Sequence, residues 1–169
     1  EVNPVTGIYA YPYTNPALVD ANAKRLLVNH ADLDPALNAG ALYFGEGHYI
    51  TQDDAAAGTD NNNASYRRLF IAQSGVTFNA TFQASFPTQR QKPGIQAWAD
   101  TDPSVGISII DIAGDGQEIL AAKVTALGGG LYHYEFAVQN LNSDRSIGSF
   151  TATFPSAANV TNAGFHDVN

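Results

Sequence analysis

Residues 46–68 read EGHYITQDDAAAGTDNNNASYRR and hold the densest set of side chains able to bind a cation: Glu46, Asp53, Asp54, Asp60, Asn61 and Asn62, with His48 and Asn63 among them. Ca2+ takes about six to eight hard oxygen ligands from carboxylates, amides and backbone carbonyls, and this stretch is rich in all three. A Ca2+ cofactor held here is one expectation. The acids depart from the regular D-x-D-x-D-G spacing of the twelve-residue calcium loop, and Asp and Asn also gather wherever a chain turns. A solvated or self-hydrogen-bonded loop is the competing expectation. Upstream, HADLD adds His30, Asp32 and Asp34.

Other chemistry is less well supplied. In NLNSDRS the alternation of Asn140, Asn142 and Asp144 resembles the start of a calcium loop, but Arg145 stands where Gly would make the sharp turn. A tight connection between strands explains it equally well. DIAGDGQE, with Asp111, Asp115 and Glu118, reads first as a glycine-assisted turn. The four histidines, His30, His48, His133 and His166, form no H-x-H or H-E-x-x-H pair. Nucleophilic catalysis lacks a G-x-S-x-G elbow and a Cys, and His166 and Asp167 are merely adjacent. Glycoside hydrolysis needs two carboxyl groups facing across a cleft, for which Glu46, Asp53, Glu118 and Glu135 are the candidates. Trp98 and the tyrosines Tyr9, Tyr11 and Tyr13 offer rings on which a sugar could stack, so a carbohydrate-binding module is the alternative to a purely structural one. Three N-x-[ST] sequons, at Asn63, Asn79 and Asn159, matter only in a host that glycosylates them.

The elements that must position these groups read as strands. In VTFNATFQASF the residues Val76, Phe78, Ala80, Phe82, Ala84 and Phe86 alternate with polar ones, the period of a strand with one buried and one wet face. LYHYEFAVQN repeats the pattern with Tyr132, Tyr134, Phe136 and Val138 on one face, and the preceding GGG predicts a hairpin with QEILAAKVTAL. These aromatic stripes are assigned to the core. RLLVNH, ALYF, HYIT, YRRLFIA, GIQAWAD, VGISIIDI, IGSFTATF and NVTNAGF are further strand candidates between turn signals. About ten short strands with little helix predict an all-β, two-sheet antiparallel sandwich or jelly roll. Residues 16–25 and a turn around Pro35 are the helical candidates.

The chain has 169 residues with 44% hydrophobic, enough for one sizeable core, so residues 17–169 are expected to form a single domain. Residues 1–16 differ: Pro4, Pro12 and Pro16 exclude a central strand, and an extended arm would place Tyr9, Tyr11 and Tyr13 on one face. Such an arm either caps its own sheet or adds a strand to a neighbour. Eight Lys+Arg against sixteen Asp+Glu give a net charge of -8, which repels phosphate backbones and anionic lipid and argues against nucleic acid as a partner. No apolar run approaches the roughly twenty residues that cross a bilayer as a helix. The absence of Cys removes disulfides and thiolate chemistry, and the absence of Met suggests a processed product or a piece of a longer precursor.

Three stretches, DLDPALNAGALYFGEGHYITQDDAAAGTDNNNASYR, YHYEFAVQNLNSDRSIGSF and NAGFHDV, together resemble a region shared by large secreted hypothetical proteins of bacteria. The resemblance covers most of the chain and brings no catalytic or ligand residue with it. It implies a bacterial, extracellular or cell-surface setting and a longer polypeptide, with sequence before Glu1 and beyond Asn169. The function expected is that of a non-catalytic extracellular structural or interaction module, stabilised by Ca2+ and self-assembling through its N-terminal arm. A carbohydrate-binding module and, behind it, a hydrolase domain are the alternatives.

Overall fold

The computed structural model of the chain describes residues 2–12 and 26–166. It is mostly strand, in two antiparallel sheets with little helix, consistent with an all-β sandwich. Helix α1 (His30–Leu33) leads to β1 (Tyr43–His48), then α2 (Gln52–Ala57) and a single 3-10 turn at Asp60–Asn62. Strands β2 (Ala64–Ser74), β3 (Thr77–Phe82) and β4 (Gln89–Arg90) follow, then α3 (Gln96–Thr101). The chain continues as β5 (Gly106–Ile112), β6 (Gly116–Gly128) and β7 (Leu131–Asn140). The first sheet has the order β1-β2-β3 with β4 also pairing β2, and the second is the meander β5-β6-β7.

Among the described residues seven strands form where about ten were expected of the chain, and the differences have local causes. GIQAWAD is a helix: Gln96, Ala97 and Trp98 donate their N–H groups to Pro93, Gly94 and Ile95 carbonyls, and Thr101 Oγ1 bonds back to Ala97 O at 2.8 Å. In so short a window apolar residues at alternate positions fit one turn of helix as well as a strand, and the contacts of Ala97, which is buried, decide. Leu26–Val28 of RLLVNH form no ladder, and α1 begins at His30 behind an Asn29 cap. HYIT contributes only His48 to β1, because Thr51 turns the chain by capping α2 through its hydroxyl. IGSFTATF and NVTNAGF are in neither sheet. The candidate helix at residues 16–25 lies outside the described residues.

The sheets meet over a small core of Ala64, Ile119 and Leu141, with Ile95 and Ile107 packed against it. On β6 the face carrying Gln117, Ile119 and Ala121 is buried, whereas on the opposite face Leu120 and Ala122 are half-buried and Val124 and Ala126 exposed. Both faces are apolar enough to bury. The one chosen carries Ala121 opposite Ala137 and meets Ala64, and small side chains allow the closest approach of two sheets. This overturns the assignment of the aromatic stripes to the core: Tyr132, Tyr134, Phe136 and Val138 are 57%, 42%, 39% and 37% exposed, and Val76 and Phe82 of the other stripe 80% and 64%. The accessible surface is 12385 Å2, against roughly 8,000 Å2 for a compact monomer of this mass.

A buried polar clasp accompanies the core. Asn142, 2% exposed, donates from Nδ2 to Asp60 Oδ2 at 2.7 Å and Asn61 Oδ1 at 2.9 Å, and its Oδ1 accepts from Gln117 N–H at 2.9 Å. Asp115 accepts from Ser143 Oγ at 2.7 Å and Asp144 N–H at 3.0 Å. A Cβ on Gly116 would lie 2.6 Å from Ser143 N, so only glycine lets the β5–β6 turn close on this backbone. Replacing Asn142 by Ala strands two side-chain acceptors and a backbone N–H, so Asn142→Ala is expected to cost about 1–3 kcal/mol. Chemical denaturation of wild type and variant measures it, and Gly116→Ala should show a comparable loss through steric conflict.

Candidate functional site

The six residues proposed as Ca2+ ligands occupy separate places. Glu46, on β1, accepts hydrogen bonds from Gln139 Nε2 at 2.7 Å and from the Gly94 N–H, tying the two sheets together. Asp54 in α2 accepts from Thr51 Oγ1 at 2.7 Å and Asn63 Nδ2 at 3.0 Å, and these bonds hold its carboxyl below the usual carboxylate range. Asp60 and Asn61 face Asn142, Asn62 donates its N–H to Thr59 O, and Asp53 is exposed in the first turn of α2. Among the described residues no group of three or more His, Asp or Glu side chains gathers at metal-binding distance. His30 stacks near Phe78, His48 lies near Asp60 O, His133 beside Glu135, and His166 beside Asp32.

The proposed carboxylate and aromatic sites are likewise dispersed. Glu118 and Glu135 lie on opposite faces of the β6–β7 ladder, since Glu118 pairs with Asn140 and Glu135 with Lys123. They do not face one another across a cleft. Trp98 is half-buried in α3. Tyr9 and Tyr11 are exposed, but the arm is not extended through them: Val2 bridges Tyr9, and Asn3 Oδ1 gathers the Val5 and Thr6 N–H groups into a tight turn. Gly7, at φ 67°, sits so close to Thr51 that a Cβ would lie 2.4 Å from its carbonyl carbon. The arm therefore packs on the start of α2 of its own chain. Tyr13 lies outside the described residues.

Two features that sequence reasoning missed are better organised. The first is the outer face of the β5–β7 sheet, where Leu120, Ala122, Val124 and Ala126 of β6 lie beside Tyr132, Tyr134, Phe136 and Val138 of β7. Glu118 at one end is its only carboxylate, because Lys123, His133 and Glu135 point the other way. Residues 147–154 run against part of this face, with Phe150 on Phe136 and Phe154 on Tyr134 at ring distances of 5.1 and 5.0 Å. Among the described residues no backbone hydrogen bond reaches the outer edge of β7, which leaves ten residues of strand unpaired on that side.

The second is an open cleft on the first sheet where Tyr66, Lys92 and Asp100 converge. Lys92 Nζ lies 2.9 and 2.7 Å from the two Asp100 oxygens, and the Tyr66 hydroxyl donates to Oδ2 of the same carboxylate. Burial pushes the Tyr66 phenol well above its usual value, and the neighbouring Asp100 charge adds to this. Burial alone would raise Asp100, but the Lys92 ammonium and the Tyr66 hydroxyl outweigh it and hold the carboxyl low. Four of the eight Lys+Arg residues, Arg67, Arg68, Arg90 and Lys92, lie in or just after β2 and β4. The signal that could have flagged this region was RR inside a strand of an acidic chain. At the end of α3, Asp102 is held well below the carboxylate range, first by Lys123 at 2.7 Å and then by Ser104.

A depressed Asp100 contributes stability above the unfolded carboxylate value near 4 and loses it as pH falls below that. A raised Tyr66 contributes below the unfolded phenol value near 10 and loses its contribution as pH climbs beyond it. Melting temperature is therefore expected to hold between about pH 5 and 9 and to fall on both sides. Asp100→Asn should flatten the acid limb and Tyr66→Phe the alkaline one, each read by thermal melts across pH. Because protein donors already hold Glu46, Asp54 and Asp60, melting is expected to be the same in excess Ca2+ and in EGTA; a rise of several degrees with Ca2+ would establish a cation site instead. No protein-family model, curated protein or solved structure matches this chain.

Proposed function

We propose that this chain is a non-catalytic extracellular interaction module that associates with a second copy of itself through the outer face and free edge of the β5–β7 sheet. The observation that carries the reading is the uncharged aromatic face around Tyr132, Tyr134 and Phe136 beside an unpaired edge strand. Side chains of this size expose on the order of 100 Å2 each at these fractions, which brings the patch to the upper end of what monomers leave to water. A long, exposed, apolar edge is also a template for strand pairing.

A second copy fits this surface on electrostatic grounds. Two chains of net charge -8 repel one another, and they can meet closely only where the surface is free of charge. The face has that property apart from Glu118 at its end. Antiparallel pairing of β7 with its copy would extend two three-stranded sheets into one of six and set the two aromatic stripes side by side on one face, where each partly shields the other from water. The N-terminal arm, turned back on α2, is a weaker candidate for the same task. The extracellular setting rests on the resemblance to secreted bacterial proteins.

Sedimentation velocity over a range of concentrations tests the proposal. The wild type is expected to dimerise, more strongly as salt screens the net charge. Combined Val124→Lys and Tyr132→Lys, at the most exposed positions of the face, should leave a folded monomer, whereas Tyr11→Lys in the arm should dimerise as before. A wild type that stays monomeric at every concentration overturns self-association, and loss of the dimer only in the arm variant returns assembly to the arm.

A further inference from the structure

The cleft on the first sheet has about 280 Å3 of space and is bounded by Phe44, Tyr66, Arg68, Phe86, Lys92 and Asp100. Its walls come from four separate stretches of chain. Cross-strand pairing puts Phe44 opposite Arg68 on the same face of β1 and β2, Phe86 enters from the β3–β4 connection, and Asp100 comes from the last turn of α3. Phe44 and Tyr66 meet edge to face at 5.6 Å, which fixes both rings. The guanidinium of Arg68 lies 4.5 Å above the Phe86 ring.

The charges in the cleft do not cancel. Asp100 is already committed to Lys92 and to the Tyr66 hydroxyl. Among the described residues no carboxylate pairs with Arg68, although acids outnumber bases two to one in the chain. A guanidinium stacked on a ring keeps its N–H edge available for a planar acceptor, and a carboxylate is the acceptor that matches its fork. Arg68 and Lys92 against Asp100 leave one positive charge, which suits a monoanion and not a phosphate dianion, since Asp100 would repel the second charge.

The remaining chemistry narrows the class further. Phe44 and the part of Phe86 left exposed beside Arg68 suit the C–H face of a saturated ring, while Gln89 and Thr101, whose own donors bond to backbone carbonyls, and Asp100 keep acceptor lone pairs at the rim for hydroxyl groups. An aromatic carboxylate would cover the rings but use none of these remaining acceptors. We propose that this cleft, with Arg68 as the carboxylate anchor and Phe44 and Phe86 as the ring platform, binds a carboxylated sugar unit. The site is separate from the β5–β7 face, and its occupancy does not depend on self-association.

Two-dimensional NMR titration of the full chain with glucuronate, glucose, benzoate and inorganic phosphate tests the assignment, and a short polyuronate distinguishes a free sugar from the end of a polymer. Glucuronate or the polyuronate is expected to shift resonances of Phe44, Arg68 and Phe86 and to bind at least tenfold more tightly than the other three. Arg68→Gln should remove that preference, and Phe86→Ala should weaken binding, while Arg145→Gln, away from the cleft, leaves it intact. Unchanged melting of Arg68→Gln and Phe86→Ala, together with loss of glucuronate binding on raising salt, separates a lost anchor from a lost fold. Equal binding of glucose and glucuronate, a preference for benzoate or phosphate, or no binding of glucuronate or the polyuronate overturns the proposal.

Discussion

The structure depends on one buried amide. The Asn142 side chain makes three hydrogen bonds inside the protein, to partners in the 3-10 turn and at the start of β6, and its chain neighbour Leu141 belongs to the core. A buried amide contributes little net energy when satisfied and costs far more when it is not, so the arrangement that satisfies it is strongly selected among compact alternatives. That arrangement brings the 3-10 turn before β2 onto the β5–β6 and β7 termini, and Gly116 exists in it because a Cβ has nowhere to go. The apolar contact between Ala64, Ile119 and Leu141 closes at the same junction.

This constraint decides how the acidic residues are used. Asp60 and Asp115 serve the clasp, Glu46 bridges the sheets to Gln139 and Gly94, and Asp54 holds Thr51 and Asn63 in the loop. Carboxylates with two or more protein donors are folded-state structure first. The basic residues are used differently, since Arg67, Arg68, Arg90 and Lys92, half of the chain's Lys+Arg, lie in or just after β2 and β4 although acids outnumber bases two to one. The proposed docking face and the proposed sugar cleft thus occupy different sheets and differ in chemistry, one uncharged and one cationic.

Much of the secondary structure was legible. Period-two alternation identified the strands at 77–82 and 131–140, and the triple glycine marked the hairpin between β6 and β7. GIQAWAD was not, because apolar spacing over seven residues is compatible with either period. IGSFTATF alternates as a strand does, and Phe150 and Phe154 do use one side to contact β7, yet no backbone partner lies alongside. The acidic loop was legible as polar and turn-rich, and a self-hydrogen-bonded loop was among its expected forms. The cleft was invisible, since its walls come from residues as far apart as Phe44 and Asp100.

By itself the sequence determined the local terms: antiparallel strands of alternating pattern, the turns between them, an acidic surface, and no thiol chemistry. These depend on neighbours a few positions apart, whose geometry is nearly the same in any fold. Only the tertiary structure decided which apolar face of each sheet is covered. Alternation says that Tyr132, Tyr134 and Phe136 share a side, but which side of a sheet meets another sheet depends on where small residues such as Ala64 and Ala121 allow close approach. It likewise decided that Asn142 meets Asp60 and Asn61, more than eighty positions away along the chain, because hydrogen-bond partners are chosen by distance in space.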